Sequence, residues 1–210
     1  MKGLFISGSG TDVGKTFVAC HLIQILNEKY TVVARKPIES DCGNDLVAKD
    51  AVLLNDACVN LESIDIVCPF KFAACVSGEK ASAEQGVSVS LQDLVQAVQP
   101  TNDDDFVVIE GAGGFYSPIA EHALNSDFAT ALGLPVVIVV KDELGAINQS
   151  LLTIAAVKKC NLTIVMLVLN QITPNNLGNA QALSAYTDIE VVTFNKSKLG
   201  DFNAKVTALI

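Results

Sequence analysis

Leu4-Phe5-Ile6-Ser7-Gly8-Ser9-Gly10-Thr11-Asp12-Val13-Gly14-Lys15-Thr16 is the stretch on which the reading of this chain turns. Its apolar opening, Leu4 to Ile6, predicts a buried strand. The spacing of Phe17, Val18, His21, Leu22, Ile25 and Leu26 beyond it predicts a helix. A glycine-rich turn between strand and helix lets backbone N–H groups face inward, while the helix aims its partly positive end at an anion. In that setting Lys15 is a mobile charge for the β- and γ-phosphates of a nucleotide, and the Thr16 hydroxyl is a ligand for Mg²⁺. The alternative is an ordinary glycine turn with a surface lysine, which the flanking strand and helix disfavour. The spacing is irregular: the usual first glycine falls at Ser9, between Gly8 and Gly10.

Around this stretch lie 210 residues, half of them apolar and 18% charged, enough for the core of a single domain. The longest apolar run, Leu134 to Val140, is far short of the ~18 residues of a membrane helix and reads as a buried parallel strand. A net charge of −9 with only 14 Lys and Arg argues against a nucleic-acid surface. Cys20, Cys42, Cys58, Cys68, Cys75 and Cys160 show no metal-binding pairing and read as reduced, mostly buried thiols of a cytoplasmic protein.

Taken in order, Thr31 to Ala34 predicts a second strand, which Arg35-Lys36-Pro37 ends. A polar loop over Ile38–Asn44 and a helix from Asp45 carrying Asp50 follow. Ile64 to Val67 predicts a short strand, and Ala73 to Gly86 carries no clear period. Ser90 and Asp93 form a capping-box pattern. Phe106 to Ile109 predicts a strand buried on both faces, ending in Glu110-Gly111-Ala112-Gly113-Gly114. Asn125-Ser126-Asp127 caps a short helix. Then come the 134–140 strand, a helix through Ile147 to Val157, a strand at 163–169 closed by Asn170, a helix near 176–185, a strand at 189–193 and an amphipathic helix over the last ten residues. Such alternation predicts a three-layer α/β fold of the P-loop NTPase kind, a mostly parallel sheet flanked by helices. Ligands bind at the carboxyl ends of such strands, where the glycine loop, Lys36, Glu110, Lys141 and Asn170 all fall.

Mg²⁺ wants oxygen ligands, and Thr16, Asp50 and Glu110 are the candidates. Glu110 is either a metal carboxylate or a salt-bridged strand end; Asp50 is either a ligand or one more acid on a helix surface. Lys36 reads as an active-site cation or as an exposed lysine closing a strand. His21 and His122 have no triad-like partners and read as structural or exposed.

Gly8 to Thr16, Lys36-Pro37 with Ser40, Asp50 to Leu54, Glu110 to Gly114 and Leu144 to Thr153 occur in this order over roughly residues 3–175, and together they resemble the dethiobiotin synthetase family. The resemblance implies that ATP, Mg²⁺ and CO₂ or bicarbonate are used to close a ureido ring on 7,8-diaminononanoate, releasing ADP and phosphate. It implies a cytoplasmic homodimer with its sites at the interface, without nucleic acid or membrane. Position by position, it makes Thr16, Asp50 and Glu110 the magnesium residues and Asp12, Val13, Gly14, Lys15, Thr16 and Phe17 the phosphate loop. Lys36, Lys15 and Thr11 become the catalytic set. Thr11, Lys36 and Ser40 would meet the diamine or its carbamate; Glu110, Gly111, Ala112 and Gly113 would line the phosphates and the substrate. Asn170 and Gln171 would lie at the base. The helix start Gly145-Ala146-Ile147-Asn148 would bind the substrate carboxylate from the partner subunit, and exposed helix N-termini do suit carboxylates.

The chain departs from the family pattern at Gly8-Ser9-Gly10, at Asp12 in place of Glu, and at Ser77-Gly78-Glu79 where Ser-Pro-His is usual. It also has Gln171 in place of Asp and lacks a late proline near Phe194-Asn195-Lys196, which predicts relaxed nucleotide selectivity. Two other readings are a dimeric ATPase switch of the partitioning type, whose signature lysine is missing from Ser7-Gly8-Ser9-Gly10, and an amidotransferase-type synthetase, for which the chain is too short.

Overall fold

The computed structural model describes residues 1–209. In chain order the elements are β1 (Lys2–Gly8), α1 (Lys15–Leu26), β2 (Val32–Arg35), β3 (Ile38–Glu39), α2 (Lys49–Asp56), α3 (Ile64–Val67), β4 (Phe70–Lys71), α4 (Gly78–Glu84), α5 (Leu91–Ala97) and β5 (Phe106–Glu110). They continue with β6 (Pro118–Ala120), β7 (Ala123–Leu124), α6 (Asn125–Leu132), β8 (Val136–Lys141), α7 (Ala146–Lys159), β9 (Ile164–Asn170), α8 (Asn179–Leu183), β10 (Val191–Phe194) and α9 (Gly200–Leu209). No helix among the described residues is long and apolar enough to cross a membrane.

The central sheet has six strands in the order β10-β9-β8-β1-β5-β2, every neighbour parallel. Alternation along the strands divides the interior in two. Phe5, Val107, Ile109, Ile138, Val140, Leu167 and Leu169 face one side, where Leu94, Phe128, Ile154 and Val157 from α5, α6 and α7 pack on them. Leu4, Ile6, Val108, Val137, Val139, Met166 and Val168 face the other, under Val18, Leu22 and Ile23 of α1 and Phe202 and Val206 of α9. Strands covered on both faces need apolar residues at successive positions, which is why β1, β5, β8 and β9 read as continuous runs. Three layers result, as the sequence predicts. All the central strands point the same way, so the loop after β1, Lys36 after β2, Glu110 at the end of β5 and Asn170 at the end of β9 share one edge.

Shorter elements depart from expectation. Ile64–Val67 is a helix rather than a strand: Ser63 caps it through Asp65 N–H (3.4 Å), and Ile64 and Val67, three apart, are the residues turned inward. Within the expected 38–44 loop, β3 pairs in parallel with β4. The helix carrying Asp50 starts at Lys49 rather than Asp45, because Leu46 stands in the left-handed region (φ 50°). The stretch without a period holds α4, and β6 and β7 form a hairpin-like pair that no sequence pattern indicates. The helix expected near 176–185 spans only Asn179–Leu183. The terminal helix forms through Leu209, Ile210 lying outside the described residues. Ser90 and Asp93 make the capping box, with Ser90 N–H on Asp93 Oδ2 at 2.8 Å and Asp93 N–H on Ser90 Oγ at 3.2 Å. All six cysteines are unpaired. His21 packs edge-on against Phe194 at 5.4 Å, and His122 is exposed.

Candidate active site

β1 delivers the chain into a loop whose geometry needs a glycine at position 14. Gly14 precedes α1 with φ 85°, and a Cβ there would fall 2.0 Å from Asn170 Nδ2. That amide donates to Val13 O at 2.9 Å, so Asn170 braces the loop from the sheet side. Val13 itself is buried in the core under α1. Lys15 folds back so that its ammonium donates to Gly10 O at 3.0 Å. Burial pulls the Lys15 pKa down to about 8; nearby Lys36 pushes the same way, and the opposing pull of Glu110 and Asp50 does not restore it.

Lys36 follows β2 directly, and Pro37 stops the strand there. Its backbone N–H is held by Val67 O at 2.9 Å. Its side chain is only 4% exposed, and Nζ donates to Glu110 Oε1 (2.5 Å), Asp50 Oδ2 (3.2 Å) and Gly111 O (3.3 Å). Burial opposes the charge on Lys36, but Glu110 and Asp50 outweigh it and raise the pKa above the ordinary lysine value. Burial likewise pushes Asp50 upward, yet Lys36 and the Thr16 hydroxyl hold it below the usual carboxylate range. Thr16 Oγ1 donates to Glu110 Oε1 at 3.1 Å. Glu110 Oε2 is buried and has no hydrogen-bond partner.

The loop after Glu110 is packed too closely for side chains: a Cβ on Gly111 would lie 2.6 Å from Asn125 Oδ1. Of the Asn125-Ser126-Asp127 cap, Asn125 turns its side chain to this loop and ties it down. Its Oδ1 accepts from Ala112 N–H (3.1 Å), and its Nδ2 donates to Gly114 O (3.1 Å) and Ser117 O (3.2 Å). Asp127 takes the capping role, accepting from Leu124 N–H at 2.8 Å.

These residues open onto a cleft of about 690 Å³. Thr11, Asp12, Gly14, Lys15, Thr16, Phe17, Lys36, Ser40, Asp50, Glu110, Ala112 and Gly113 all border it. So do Glu39, Asp41, Lys49 and Ser117, none of which the sequence singles out, and the Cys75–Gly78 stretch, which the sequence marks only as a departure from the family pattern at Ser77-Gly78. Val13, Gly111, Asn170 and Gln171 are not in its wall. Gln171 has both ends engaged, donating to Asp142 Oδ2 (2.8 Å) and accepting from Asn195 Nδ2 (3.0 Å). Lys141 pairs with Glu143 at 2.7 Å, outside the cleft. The Gly145–Asn148 helix start is also outside, with Gly145 at φ 96° and Leu144 90% exposed beside it. Gln149 of the same helix accepts from Ser9 Oγ at 3.1 Å, so the start of α7 abuts the opening of the phosphate loop.

A family profile described as an AAA domain matches residues 2–194. Over 213 aligned residues, covering 100% of this chain and 99% of the relative, the chain is 54% identical to the ATP-dependent dethiobiotin synthetase BioD of Ruthia magnifica subsp. Calyptogena magnifica. The chain belongs to the dethiobiotin synthetase family. A second dethiobiotin synthetase, from Vesicomyosocius okutanii subsp. Calyptogena okutanii, is 51% identical over 100% of this chain and 97% of its own. One from Anaeromyxobacter dehalogenans is 36% identical over 84% of this chain and 79% of its own. Among solved structures, a plasmid partition protein from Borrelia burgdorferi aligns over 99% of this chain and 96% of its own with TM-score 0.58. The septum site-determining protein MinD of Pyrococcus horikoshii, complexed with Mg-ADP, covers 91% of this chain and 79% of its own with TM-score 0.51. At 12% and 16% identity these two show the shared P-loop fold alone. Glu39 in the cleft wall and Asn125 behind the Gly111–Gly114 loop share a trait: each engages backbone groups, so no side-chain motif announces it.

Proposed function

We propose that this chain is an ATP-dependent dethiobiotin synthetase, joining CO₂ to 7,8-diaminononanoate and closing the ureido ring with release of ADP and phosphate. The observation that carries the reading is the convergence of Lys15, Lys36, Thr16, Asp50 and Glu110 on one cleft, in a chain more than half identical along its whole length to such a synthetase. One substrate amine takes up CO₂ as a carbamate, whose oxygen attacks the γ-phosphate; the second amine then displaces phosphate and closes the ring. Negative charge spread over the transferring phosphoryl group is met by Lys15 from the loop and Lys36 from the strand end. Thr11 and Ser40, on the same wall, face the diamine and its carbamate. Asn170 serves the nucleotide by bracing the loop at Val13 O, and Gln171, engaged with Asp142 and Asn195, supports the base side from behind the cleft wall.

Mg²⁺ fits this donor set. A hydroxyl and two carboxylates supply the hard oxygen ligands that the ion prefers, and Glu110 Oε2 is a buried carboxylate oxygen with no partner. The Thr16 hydroxyl, 3.1 Å from Glu110 Oε1, supports counting it with the two acids. When bound, the ion would neutralise charge on the phosphates.

The enzyme acts as one P-loop domain per subunit in a cytoplasmic homodimer, in which the Gly145–Asn148 helix start, exposed at Gly145 and Asn148, binds the substrate carboxylate for the other subunit. Six unpaired cysteines suit a reducing compartment. The direct test is ADP release by purified protein with ATP and Mg²⁺: release that requires both the diamine and bicarbonate supports the synthetase. Steady hydrolysis without the diamine would overturn it in favour of a switch-type ATPase.

A further inference from the structure

Glu39 borders the cleft yet has no part in the reading above. It is 7% exposed and lies three residues after Lys36. Both of its oxygens are spent on backbone: Oε1 accepts from Asp50 N–H (2.9 Å) and Oε2 from Ala51 N–H (3.0 Å). Those groups belong to the first turn of α2, whose N-cap, Ala48, offers no side-chain acceptor. Unpaired N–H groups and the positive end of a helix both call for a carboxylate at that point. Ala48 is itself buried among Ala51, Val67 and Cys68, so the acceptor comes from another element. Glu39 does something a local cap cannot. It stands on β3, held beside β4 through the Glu39–Lys71 register, and so ties α2 to the segment that also presents Lys36 and Ser40. The residue whose N–H it grips is Asp50, and the Asp50 carboxylate meets Lys36 Nζ at 3.2 Å.

We propose that Glu39 is a positioning residue for the metal site: it fixes the first turn of α2 so that the Asp50 carboxylate stays aligned with Glu110 and Thr16. The inference rests on the reading of Asp50 as a magnesium residue. Partners behind a metal ligand typically contribute ten- to a hundredfold to metal affinity.

The test uses the full chain saturated with a non-hydrolysable ATP analogue, with Mn²⁺ as the probe and its free fraction read by electron paramagnetic resonance. Glu39→Ala is expected to weaken Mn²⁺ binding about tenfold, with affinity for the metal-free analogue unchanged, because that affinity reads the Lys15 loop. Glu39→Gln keeps one acceptor oxygen and is expected to fall between Glu39→Ala and the parent; it carries the test if the alanine variant does not fold. A merely structural cap would lower the melting temperature of these variants and leave Mn²⁺ affinity where it was, and that result overturns the inference. Asp50→Asn separates the two readings. If it weakens Mn²⁺ binding while the folded Glu39 variants do not, only the positioning role falls; if it leaves Mn²⁺ binding unmoved, the metal reading falls and takes the inference with it.

Discussion

Lys15 and Lys36 stand among the same carboxylates, but their charges are held differently. Lys36 donates directly to Glu110 and Asp50 and stays an ammonium, whereas Lys15 reaches only the Gly10 carbonyl and has its pKa lowered to about 8. A bound triphosphate restores charge to Lys15, so above about pH 8 binding must take up a proton. Affinity for a metal-free ATP analogue is therefore expected to be level below pH 8 and to fall by up to about tenfold per unit above it. A flat profile from pH 7 to 9.5 would remove Lys15 from phosphate binding. Lys36→Ala is expected to cut turnover on the order of 10²–10³-fold while ATP binds nearly as before, since its charge is called on where negative charge develops. Equal losses in nucleotide affinity with turnover intact would sink that role. Asp50→Asn and Glu110→Gln keep shape and remove charge, and each is expected to raise the Mg²⁺ concentration needed for half-maximal rate. A normal Mg²⁺ titration for Asp50→Asn would return that residue to the helix surface.

Among the elements, long ones with two buried faces were legible: β1, β5, β8 and β9 are unbroken apolar runs, and α1 and α7 keep a helical stripe. The short pieces were not. Ile64 and Val67 satisfy a brief strand as well as a single helical turn, and the Ser63 cap decides it. β3 and β4 exist because Ile38 and Phe70 lie side by side, a fact about the fold and not about either stretch alone. The site divides along the same line. Lys15, Thr16, Lys36 and Glu110 follow strands at the ligand-binding edge and are found by position. Glu39 and Asn125 work through backbone N–H and C=O groups that any sequence supplies. Asn125 makes a checkable case, since Asn125→Ala leaves Ala112 N–H and Ala112 O without their side-chain partner, while the Gly114 and Ser117 carbonyls keep only their backbone donors. A loss of about 1–3 kcal/mol in urea unfolding is expected, together with a higher KM for the diamine as the Gly111–Gly114 loop loosens. Unchanged values for both would show that the loop stands without it.

For the whole molecule, a nine-carbon acid with both amines at one end needs a carboxylate anchor far from the phosphate loop. The exposed start of α7, with Leu144 and Leu152 beside it at 90% and 65% exposure, supplies one if a second subunit covers it. A two-fold axis makes each such contact twice. Mixing a Lys36→Ala chain with an Asn148→Trp chain is then expected to give mixed dimers with one doubly damaged and one intact site. From two inactive parents in equal amounts, activity should return to about a quarter of the parent value with random exchange. Mixed dimers that recover nothing would show that the carboxylate is not held across the interface.

The grip of Lys36 on Glu110 and Asp50 has a consequence for the empty enzyme. A buried carboxylate that waits for a divalent ion would ordinarily strain the protein whenever the ion leaves. Here the Lys36 ammonium, from the end of the neighbouring strand, already balances the two carboxylates that would hold the ion. Storage and folding should thus be indifferent to chelators: excess EDTA is expected to leave the melting temperature of the nucleotide-free protein unmoved. Lys36→Met should reverse this indifference. Glu110 then lacks its counter-charge at a cost of about 3–5 kcal/mol, and added Mg²⁺ should raise the melting temperature of that variant where it does nothing for the parent. A parent protein that melts earlier in EDTA would show that the metal, and not Lys36, balances the two carboxylates.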